Sequence, residues 1–419
     1  MYALCDATSM YASCEKVFDP AIRNKPVVVL SNNDGCIVAA CPIAKRAGVG
    51  KKFIPYFQVR EALEQAGAVI RSSNYELYAD LSQRMMDRCA TFAPNCHVYS
   101  IDECFLSFDH WQPDEGWLEY ARRIRRTIWK EVRLPIGVGV GSTPTLAKVA
   151  NHAAKKLPGF RGAAVIDSEA QRRNILQQLQ LEDVWGIGRR LAPRLRDLGI
   201  HNAWQLACAK PGWIRKQFSI TLENTVYELN GQCKISWDEV RAPKKEIFST
   251  RSFGQRVSDK DQLHQALSSH VSIAASKLRK QQSLASAMLV FASNSPHDNT
   301  PFYRGAHLHR FITPTQDTLR IANACRTVLE RIYRPGIQFY RCGIGLMDIC
   351  PQHHYQQDLF RTQCDNTALM QCLDSIHQRF GRDSLFIAGQ GTQQKFAMRR
   401  EFQSPRYTTR VKDFPVVQC

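Results

Sequence analysis

The feature that most constrains the fold is a pair of adjacent acids, Asp102 and Glu103, between two short apolar runs. Val98-Tyr99 precede this centre and Cys104-Phe105-Leu106 follow it, and both runs contain β-forming residues. The pattern predicts two strands of one hairpin with both carboxylates at or beside the bend. Two anions that turn toward one cavity repel each other unless a cation lies between them. A hard divalent ion such as Mg²⁺ suits these oxygen ligands; the alternative is an ordinary solvated turn.

A third acid, Asp6, lies far from this pair in the sequence. It follows the apolar run Met1–Cys5 and precedes Met10–Phe18, which has a helical pattern. This order places the carboxylate at the carboxyl end of a strand, where open sheets form their sites. If this strand lies beside the hairpin, Asp6, Asp102 and Glu103 converge as oxygen donors. Three such donors are enough to hold two divalent cations about 4 Å apart for in-line displacement at phosphorus.

The composition narrows the possible functions. The 419 residues are enough for several domains, and the net charge of +18 suggests a polyanionic partner such as nucleic acid. There is no long apolar run and no basic amphipathic anchor, so we expect no membrane association. Because Asp6 interrupts the first apolar run, no signal peptide is indicated, and we expect a cytoplasmic protein associated with the nucleoid. No Cys-x-x-Cys pair occurs among the 15 cysteines, which favours reduced core residues over disulfides or a zinc site.

A series of longer sequence motifs is spread in order along nearly the whole chain. They include Tyr11–Glu15, Val27–Cys36, Ser72–Asp80, Ser100–Glu103, Asn151–Lys156, Asp183–Arg190, Arg251–Gly254, Thr313–Asp317 and Ser404–Arg410. Together these motifs resemble the Y-family translesion DNA polymerases, and within that family the UmuC-type catalytic subunits of bacterial DNA polymerase V. The resemblance implies an α+β, multidomain, right-hand polymerase. It also implies error-prone synthesis across damaged templates in the SOS response to DNA damage.

The resemblance and the periodic segments together divide the chain. The predicted parts are a catalytic palm (1–23 and 74–166), fingers (24–73), a helical helix-hairpin-helix thumb (167–240), a linker (241–246), a β-α-β-β-α-β little finger (247–350) and a clamp- and partner-binding tail (351–419). Regular periodicity fades past residue 350, so the tail carries no predicted helix or strand.

The resemblance implies a catalytic role for the three acids. Asp6, Asp102 and Glu103, with the backbone carbonyl of Ala7, would bind two Mg²⁺ ions while the primer 3′-hydroxyl attacks the α-phosphorus of a dNTP. Nothing in the sequence resembles an additional exonuclease domain. Copying is therefore expected to proceed without proofreading.

Three further residues have roles implied by the same resemblance. Tyr11 would be the steric gate that excludes a ribose 2′-hydroxyl, and Lys45 and Lys155 would contact the triphosphate of the dNTP. Each also has an ordinary interpretation. Tyr11 could be a buried core tyrosine, Lys45 a solvated charge, and Lys155 a partner of the negative end of a helix dipole.

Two parts of the chain are predicted to contact primer-template DNA. In Asp183–Arg190, Gly186 and Gly188 permit a tight hairpin before a helix, and Arg189 stands beside the expected phosphate. In the little finger, the resemblance implies that the open face of the sheet lies along the DNA. The candidate phosphate contacts there are Arg251, Arg256 and Arg310.

The tail carries the predicted protein contacts. Gln356-Gln357-Asp358-Leu359-Phe360 resembles the short motif by which bacterial polymerases bind the sliding clamp, and Gln356, Asp358, Leu359 and Phe360 are its candidate contacts. The rest of the tail resembles the region that meets a cleaved UmuD-type dimer and the RecA filament in that family.

Two alternatives remain open at this stage. Met10 stands where relatives carry an aromatic residue, and Ala40–Ile43 replace polar or aromatic ones, which is compatible with a catalytically weakened DNA- and clamp-binding scaffold of the same fold. Leu4–Thr8 also invites a phosphohydrolase of the haloacid dehalogenase type, although the second acid expected at position 8 is absent.

Overall fold

The computed structural model describes residues 1–237, 243–354, 365–381, 384–392 and 398–415. Internal contacts divide the chain into two compact units. The first unit comprises residues 1–239 together with 401–419, and the second comprises residues 240–400. Within the described ranges, no helix combines the length and the apolar character that crossing a membrane would require.

In the first unit, strands and helices are interspersed up to residue 166, and α-helices follow between Glu169 and Leu229. Its strands and α-helices in chain order are β1 (Tyr2–Ala7), α1 (Met10–Phe18), β2 (Val27–Leu30), β3 (Ile37–Ala40), α2 (Pro42–Arg46), α3 (Tyr56–Gln65), β4 (Val69–Ser72), α4 (Tyr75–Ala90), β5 (Asn95–Val98), β6 (Glu103–Ser107), α5 (Trp117–Val132), β7 (Ile136–Gly141), α6 (Pro144–Lys156), β8 (Ala163–Ile166), α7 (Glu169–Gln178), α8 (Leu191–Asp197), α9 (Ala203–Ala207), α10 (Pro211–Gln217) and α11 (Ile220–Leu229). Local signals explain several helix starts: the side chains of Asn74, Thr143 and Ser168 accept backbone N–H bonds as caps of α4, α6 and α7.

A five-stranded sheet in the order β5-β6-β1-β7-β8 forms the centre of the first unit. The hairpin predicted around the paired acids is confirmed, because β5 and β6 pair antiparallel with Val98 opposite Cys104. β1 lies between β6 and β7 and is antiparallel to both. The first strand of the chain is therefore central, and Asp6 lies directly opposite Glu103.

The two faces of this sheet are covered by different helices. α4 and α5 pack on one face, where Cys5 and Cys104 enter the core, and α6 packs on the other, against Leu4 and Phe105. Because side chains alternate along a strand, Asp6 and Glu103 share the face of Leu4 and Phe105, which is the face of α6.

α6 approaches β7 unusually closely because the facing positions of β7 are glycines. A Cβ built on Gly139 would lie 2.0 Å from the backbone nitrogen of Asn151. The buried side-chain amide of Asn151 donates hydrogen bonds to the carbonyls of Leu4, at 3.2 Å, and Gly137, at 2.8 Å. These bonds fix the position of α6 across β1 and β7.

A smaller three-stranded sheet in the order β3-β2-β4 covers the segment predicted as fingers. β2 pairs antiparallel with β3 and parallel with β4, so β4 is an edge strand. The turn between β2 and β3 contains Asn33 and Asp34, which both adopt positive φ, as short polar residues can.

The region from α7 to α11 packs into a helical core with Leu176, Leu195 and Leu206 fully buried. The hairpin before α8 contains Gly186 with φ +87°, a backbone conformation that favours glycine. The purely helical character predicted for this region is confirmed for its described part.

The second unit is a two-layer α/β structure. Its strands and α-helices in chain order are β9 (Ile247–Val257), α12 (Lys260–Lys280), β10 (Ser283–Ser293), β11 (Arg304–Thr315), α13 (Thr318–Ile332), β12 (Phe339–Pro351) and α14 (Thr367–Phe380). The strands form an antiparallel sheet in the order β11-β10-β12-β9, and α12 and α13 pack on one of its faces. The predicted β-α-β-β-α-β arrangement is confirmed.

The carboxyl-terminal region is more ordered than its sequence pattern indicates. α14 begins after the capping residue Asn366 and packs in the second unit, where Asp374 pairs with Arg279 at 2.6 Å. The described residues 401–415 instead pack in the first unit. The segment predicted as one tail thus contributes to both units.

Candidate active site

The structure brings the three predicted acids together at one end of β1 and β6. Asp6 and Glu103 are cross-strand partners, and the backbone N–H of Ala7 donates a 2.8 Å hydrogen bond to the carbonyl of Asp102. The hydroxyl of Ser100 donates to Asp102 Oδ1 at 2.5 Å, which holds that carboxylate at the bend. Residues almost 100 positions apart in the sequence therefore share one edge of the sheet, because β1 inserts beside the hairpin.

Two lysines of α6 form ion pairs with two of these acids. Lys155 Nζ lies 2.6 Å from Asp6 Oδ1, and Lys148 Nζ lies 3.0 Å from Glu103 Oε1. The two lysines are seven residues apart and hence lie on the same side of the helix. The sequence analysis assigned a role to Lys155 but none to Lys148. The seven-residue spacing could have indicated that both lysines lie on the same side of the helix.

Burial opposes the ionisation of Asp6 and of Glu103. It raises the pKa of Asp6, against the charge of Lys155, and the nearby charge of Asp102 adds to the rise. Burial likewise raises the pKa of Glu103, against its hydrogen bond and ion pair with Lys148. Partly buried carboxylates that repel one another favour a cation at this position.

The donor set fits a hard divalent cation, because it consists of carboxylate oxygens on adjacent strand ends. Asp6 and Glu103 each direct one oxygen to a lysine, and no choice of one oxygen from each of the three carboxylates brings all three within 4.8 Å of one another. In the described part of the chain, one group of three possible ligand side chains does meet this distance. It consists of the buried thiols of Cys5, Cys89 and Cys104. A divalent ion held by the acids would thus replace lysine contacts.

A cavity of about 600 Å³ opens beside the acids and combines negative and positive walls. Asp6 and Asp102 line it together with four lysines: Lys45, Lys52, Lys155 and Lys156. Lys45 donates a 3.0 Å hydrogen bond to the hydroxyl of Ser9. Burial and the charges of Lys52 and Lys156 lower the pKa of Lys45, so a bound polyanion would relieve the repulsion.

Tyr11, the second residue of α1, lines the same cavity. Its ring stacks on the ring of Tyr78 at a centroid distance of 4.5 Å and meets the edge of Tyr75 at 6.1 Å. The ring is therefore held by two aromatic neighbours from α4 and is partly exposed toward the cavity.

Comparison with known proteins supports one family. Residues 5–152 match the impB/mucB/samB family, residues 169–200 its helix-hairpin-helix motif, residues 244–359 its C-terminal domain and residues 367–417 a domain of unknown function. A solved Y-family DNA polymerase chimera of Dbh and Dpo4 covers 84% of this chain and 99% of its own, with a TM-score of 0.64 and 21% identity. The insertion ternary complex of Dbh DNA polymerase has the same coverage and identity, with a TM-score of 0.51. These likenesses confirm the fold.

Sequence relatives decide the family. The chain is 41% identical over 418 residues to protein UmuC of Salmonella typhimurium, covering 99% of both chains. It is 39% identical to protein SamB of Salmonella typhimurium and 38% identical to protein MucB of Escherichia coli, with at least 99% of each chain covered. The chain belongs to the UmuC-type Y-family DNA polymerases. The polymerase is accordingly a template-directed nucleotidyltransferase of the error-prone translesion class, and enzymes of this kind generally depend on divalent metal ions.

Two residues that depart from relatives, Met10 and Cys41, are packed inside the first unit of the polymerase. Met10 is almost fully buried beneath the cavity it helps to line. Cys41 caps α2 through its thiol, which accepts the backbone N–H of Ala44 at 3.5 Å and of Val27 at 3.2 Å. Burial raises the pKa of this thiol, but these N–H bonds and the charge of Lys16 outweigh burial and lower it overall.

The structure places the predicted DNA contacts of the polymerase on both units. Gly186 and Gly188 lie in the hairpin before α8, and Arg189 is exposed next to them. In the second unit, Arg310 is exposed on β11 and pairs with Asp348 at 2.9 Å.

The other two arginines of the second unit have different surroundings. Arg256 pairs with Asp298 at 2.7 Å and stacks over the ring of Tyr340. Strand alternation puts Arg251 on the face of Ser249, whose hydroxyl lies 2.9 Å from His270 Nδ1 of α12. Arg251 therefore belongs to the helix-covered side of the sheet rather than to the open face.

The predicted clamp contacts Gln356, Asp358, Leu359 and Phe360 lie outside the described residues. So do two residues of the predicted linker, Arg241 and Ala242, whereas residues 243–246 lead into β9.

Proposed function

We propose that the polymerase joins dNTPs to a primer 3′-hydroxyl by two-metal nucleotidyl transfer at the Asp6 cavity. The observation that carries this proposal is the cross-strand placement of Asp6 opposite Glu103, with Asp102 at the bend and four lysines around the same cavity. Asp6, Asp102 and Glu103, with the carbonyl of Ala7, would hold two Mg²⁺ ions. When bound, these ions would lower the pKa of the primer hydroxyl and neutralise charge on the phosphates.

The lysines of the cavity bind the triphosphate. Lys155 exchanges its contact with Asp6 for a contact with phosphate, because a divalent cation then balances the carboxylate. Lys45 approaches from α2 and adds a second cation at the opposite wall. The charge that develops on the leaving pyrophosphate is thereby stabilised by side chains that are already in place.

Tyr11 excludes ribonucleotides. Its ring is buttressed by Tyr75 and Tyr78, so it cannot yield easily to a 2′-hydroxyl on the sugar. The proposal predicts that Tyr11→Ala admits ribonucleotides.

The remaining parts serve DNA and partner binding. We place palm, fingers, thumb, linker, little finger and tail at the boundaries predicted from the sequence. The hairpin around Gly186, Gly188 and Arg189 contacts DNA phosphates, as do Arg256 and Arg310, and the contact at Arg251 stays a prediction. The motif at Gln356–Phe360 binds the sliding clamp, and the tail contacts a cleaved UmuD-type dimer and a RecA filament in the cytoplasm at the nucleoid.

Primer extension with Mg²⁺ tests the catalytic assignment. Asp102→Asn keeps the shape of the side chain and removes its charge, so extension should fall by at least about a hundredfold. Asp114→Asn, which changes an exposed acid in a loop, is the matched control and should extend like the wild type. Equal absence of extension in wild type and Asp102→Asn, with DNA binding intact, would favour the scaffold alternative.

A further inference from the structure

The carboxyl-terminal segment Glu401–Arg410, here called the strap, packs against the first unit. The backbone N–H of Ser72 donates to the carbonyl of Phe402 at 3.1 Å, and the N–H of Phe402 donates to the hydroxyl of Ser72 at 2.9 Å. The N–H of Glu401 donates to Asp34 Oδ2 at 2.9 Å. The strap therefore pairs with the end of β4, which is an edge strand of the small sheet.

The strap also completes the cap of α4. The buried side chain of Asn74 accepts the N–H of Leu77 through Oδ1, and its Nδ2 donates to the carbonyl and the hydroxyl of Ser404 at 3.1 and 3.0 Å. These groups are 330 residues apart in the chain. Without the strap, a fully buried amide would lose its acceptors, so the strap is part of the packed structure around α4.

A third contact leads from the strap to the cavity wall. Glu15, on α1, is almost completely buried, and its Oε1 accepts hydrogen bonds from the hydroxyl of Ser404 at 3.1 Å and of Tyr78 at 2.6 Å. The ring of Tyr78 is the one that stacks on Tyr11. The hydroxyl of Ser404 is thus connected to the Tyr11 ring through two side chains, Glu15 and Tyr78.

In this arrangement the Glu15 side chain links helices α1 and α4. It lies four residues after Tyr11 on α1, and it holds the hydroxyl of Tyr78 on α4. Arg71 adds a weaker contact, with its Nε 3.6 Å from Glu15 Oε2. The hydrogen bond from Ser404 is one of two to Oε1, so its removal leaves the hydroxyl of Tyr78 as the remaining donor there.

We propose that the strap positions the Tyr11 ring through Ser404, Glu15 and Tyr78, so that sugar selection depends on a segment at the far end of the chain. This inference rests on the proposed role of Tyr11 at the nucleotide cavity. Ser404, Glu15 and Tyr78 are positioning residues, because they act through Tyr11 and do not line the cavity themselves.

The test measures single-nucleotide incorporation of a dNTP and of the matching rNTP by the full chain. Ser404→Ala should raise the ratio of rNTP to dNTP incorporation by roughly three- to tenfold, the equilibrium effect of one lost hydrogen bond. Tyr78→Phe, which keeps the stacked ring and removes only the hydroxyl, should raise the ratio similarly. Thr409→Ala removes an exposed hydroxyl from the same strap and should leave the ratio at the wild-type value.

The combination with Tyr11→Ala separates the possible outcomes. If Tyr11→Ala raises the ratio and Ser404→Ala adds nothing in that background, the strap acts through Tyr11. If Tyr11→Ala leaves the ratio unchanged, the gate assignment fails and the inference fails with it.

Two further results would overturn the inference while leaving the gate assignment intact. One is a change with Tyr11→Ala but a wild-type ratio in both Ser404→Ala and Tyr78→Phe. The other is an equal fall of both incorporation rates with the folded fraction, because it would indicate a purely structural role for the strap. Should Ser404→Ala fail to fold, Tyr78→Phe decides the question alone.

Discussion

The close approach of α6 to β7 at Gly139 offers the sharpest test of how this site is built. A Cβ at this position would lie 2.0 Å from the nitrogen of Asn151 and 2.4 Å from the carbonyl oxygen of Ala147. Both are backbone atoms, so no side-chain rotation can relieve the clash. To restore an ordinary contact of 3.4 Å, Gly139→Ala must push α6 away from the sheet by about 1.4 Å.

The expected cost follows from what this displacement breaks. Overpacking of a well-packed core costs about 1–3 kcal/mol. The two hydrogen bonds from Asn151 to the carbonyls of Leu4 and Gly137 would also be stretched, which adds roughly 1 kcal/mol for each bond. We therefore expect Gly139→Ala to lose about 3–5 kcal/mol of unfolding free energy and to melt roughly 10 °C lower.

The same displacement should impair catalysis, because Lys148 and Lys155 move with α6. A shift of this size in positioned groups can reduce kcat/KM by about a hundredfold. Gly137→Ala separates this effect from stability, since the nearest atoms to its Cβ are all in the flexible side chain of Lys155. We expect Gly137→Ala to remain folded while nucleotide incorporation falls, because Lys155 is displaced from Asp6.

Urea denaturation and single-nucleotide primer extension measure the two effects. Gly212→Ala is the control, because this glycine lies in α10 with no atom within 4 Å of a built Cβ. Alanine favours a helix over glycine, so this variant should be equal to the wild type or up to about 1 kcal/mol more stable. A Gly139→Ala protein with wild-type stability and wild-type extension would refute the close packing of α6 on β7.

Three other outcomes are expected. Burial and the charge of Arg251 lower the pKa of His270 to about 4 from the usual 6.5, so the second unit should lose up to about 3 kcal/mol as pH falls from 6.5 to 4. In urea denaturation at pH 7 and pH 4.5, His270→Gln should lose this component, and an identical pH dependence in both proteins would contradict it. Lys148→Met removes the cation that opposes the rise of the Glu103 pKa, so the acidic limb of the pH–rate profile should move to higher pH. Lys148→Arg keeps the charge and should leave the limb at its wild-type position. An unmoved limb in Lys148→Met would count against the ion pair. Arg310→Ala should reduce the slope of DNA affinity against salt, on logarithmic axes, by about one, whereas Asp348→Ala should not, and an unchanged slope would remove Arg310 from the DNA track.

Much of the fold was predictable because its signals are local. Alternating apolar residues, the capping side chains of Asn74 and Thr143, and the turn before β3 each act within a few residues. The β-α-β-β-α-β order of the second unit was indicated by its periodic segments together with the family resemblance. α14 was not predicted, although Asn366 caps it, because its stability comes from contacts with distant residues such as Arg279.

The chemical character of the site could also be predicted from the sequence. Asp102 and Glu103 at a bend and Asp6 at a strand end indicated a site for divalent cations, and the excess of basic residues indicated a polyanionic partner. These inferences need only residue types and short spacings, because charge and ligand preference belong to the side chains themselves.

The pairing of these groups was decided by tertiary structure. The insertion of β1 between β6 and β7 puts Asp6 opposite Glu103, and the glycines of β7 let α6 bring Lys148 and Lys155 onto the acids. The contacts of the strap with Asn74 and Glu15 were likewise decided by tertiary structure. Contacts between residues tens to hundreds of positions apart depend on which surfaces pack together, and no local pattern specifies that choice.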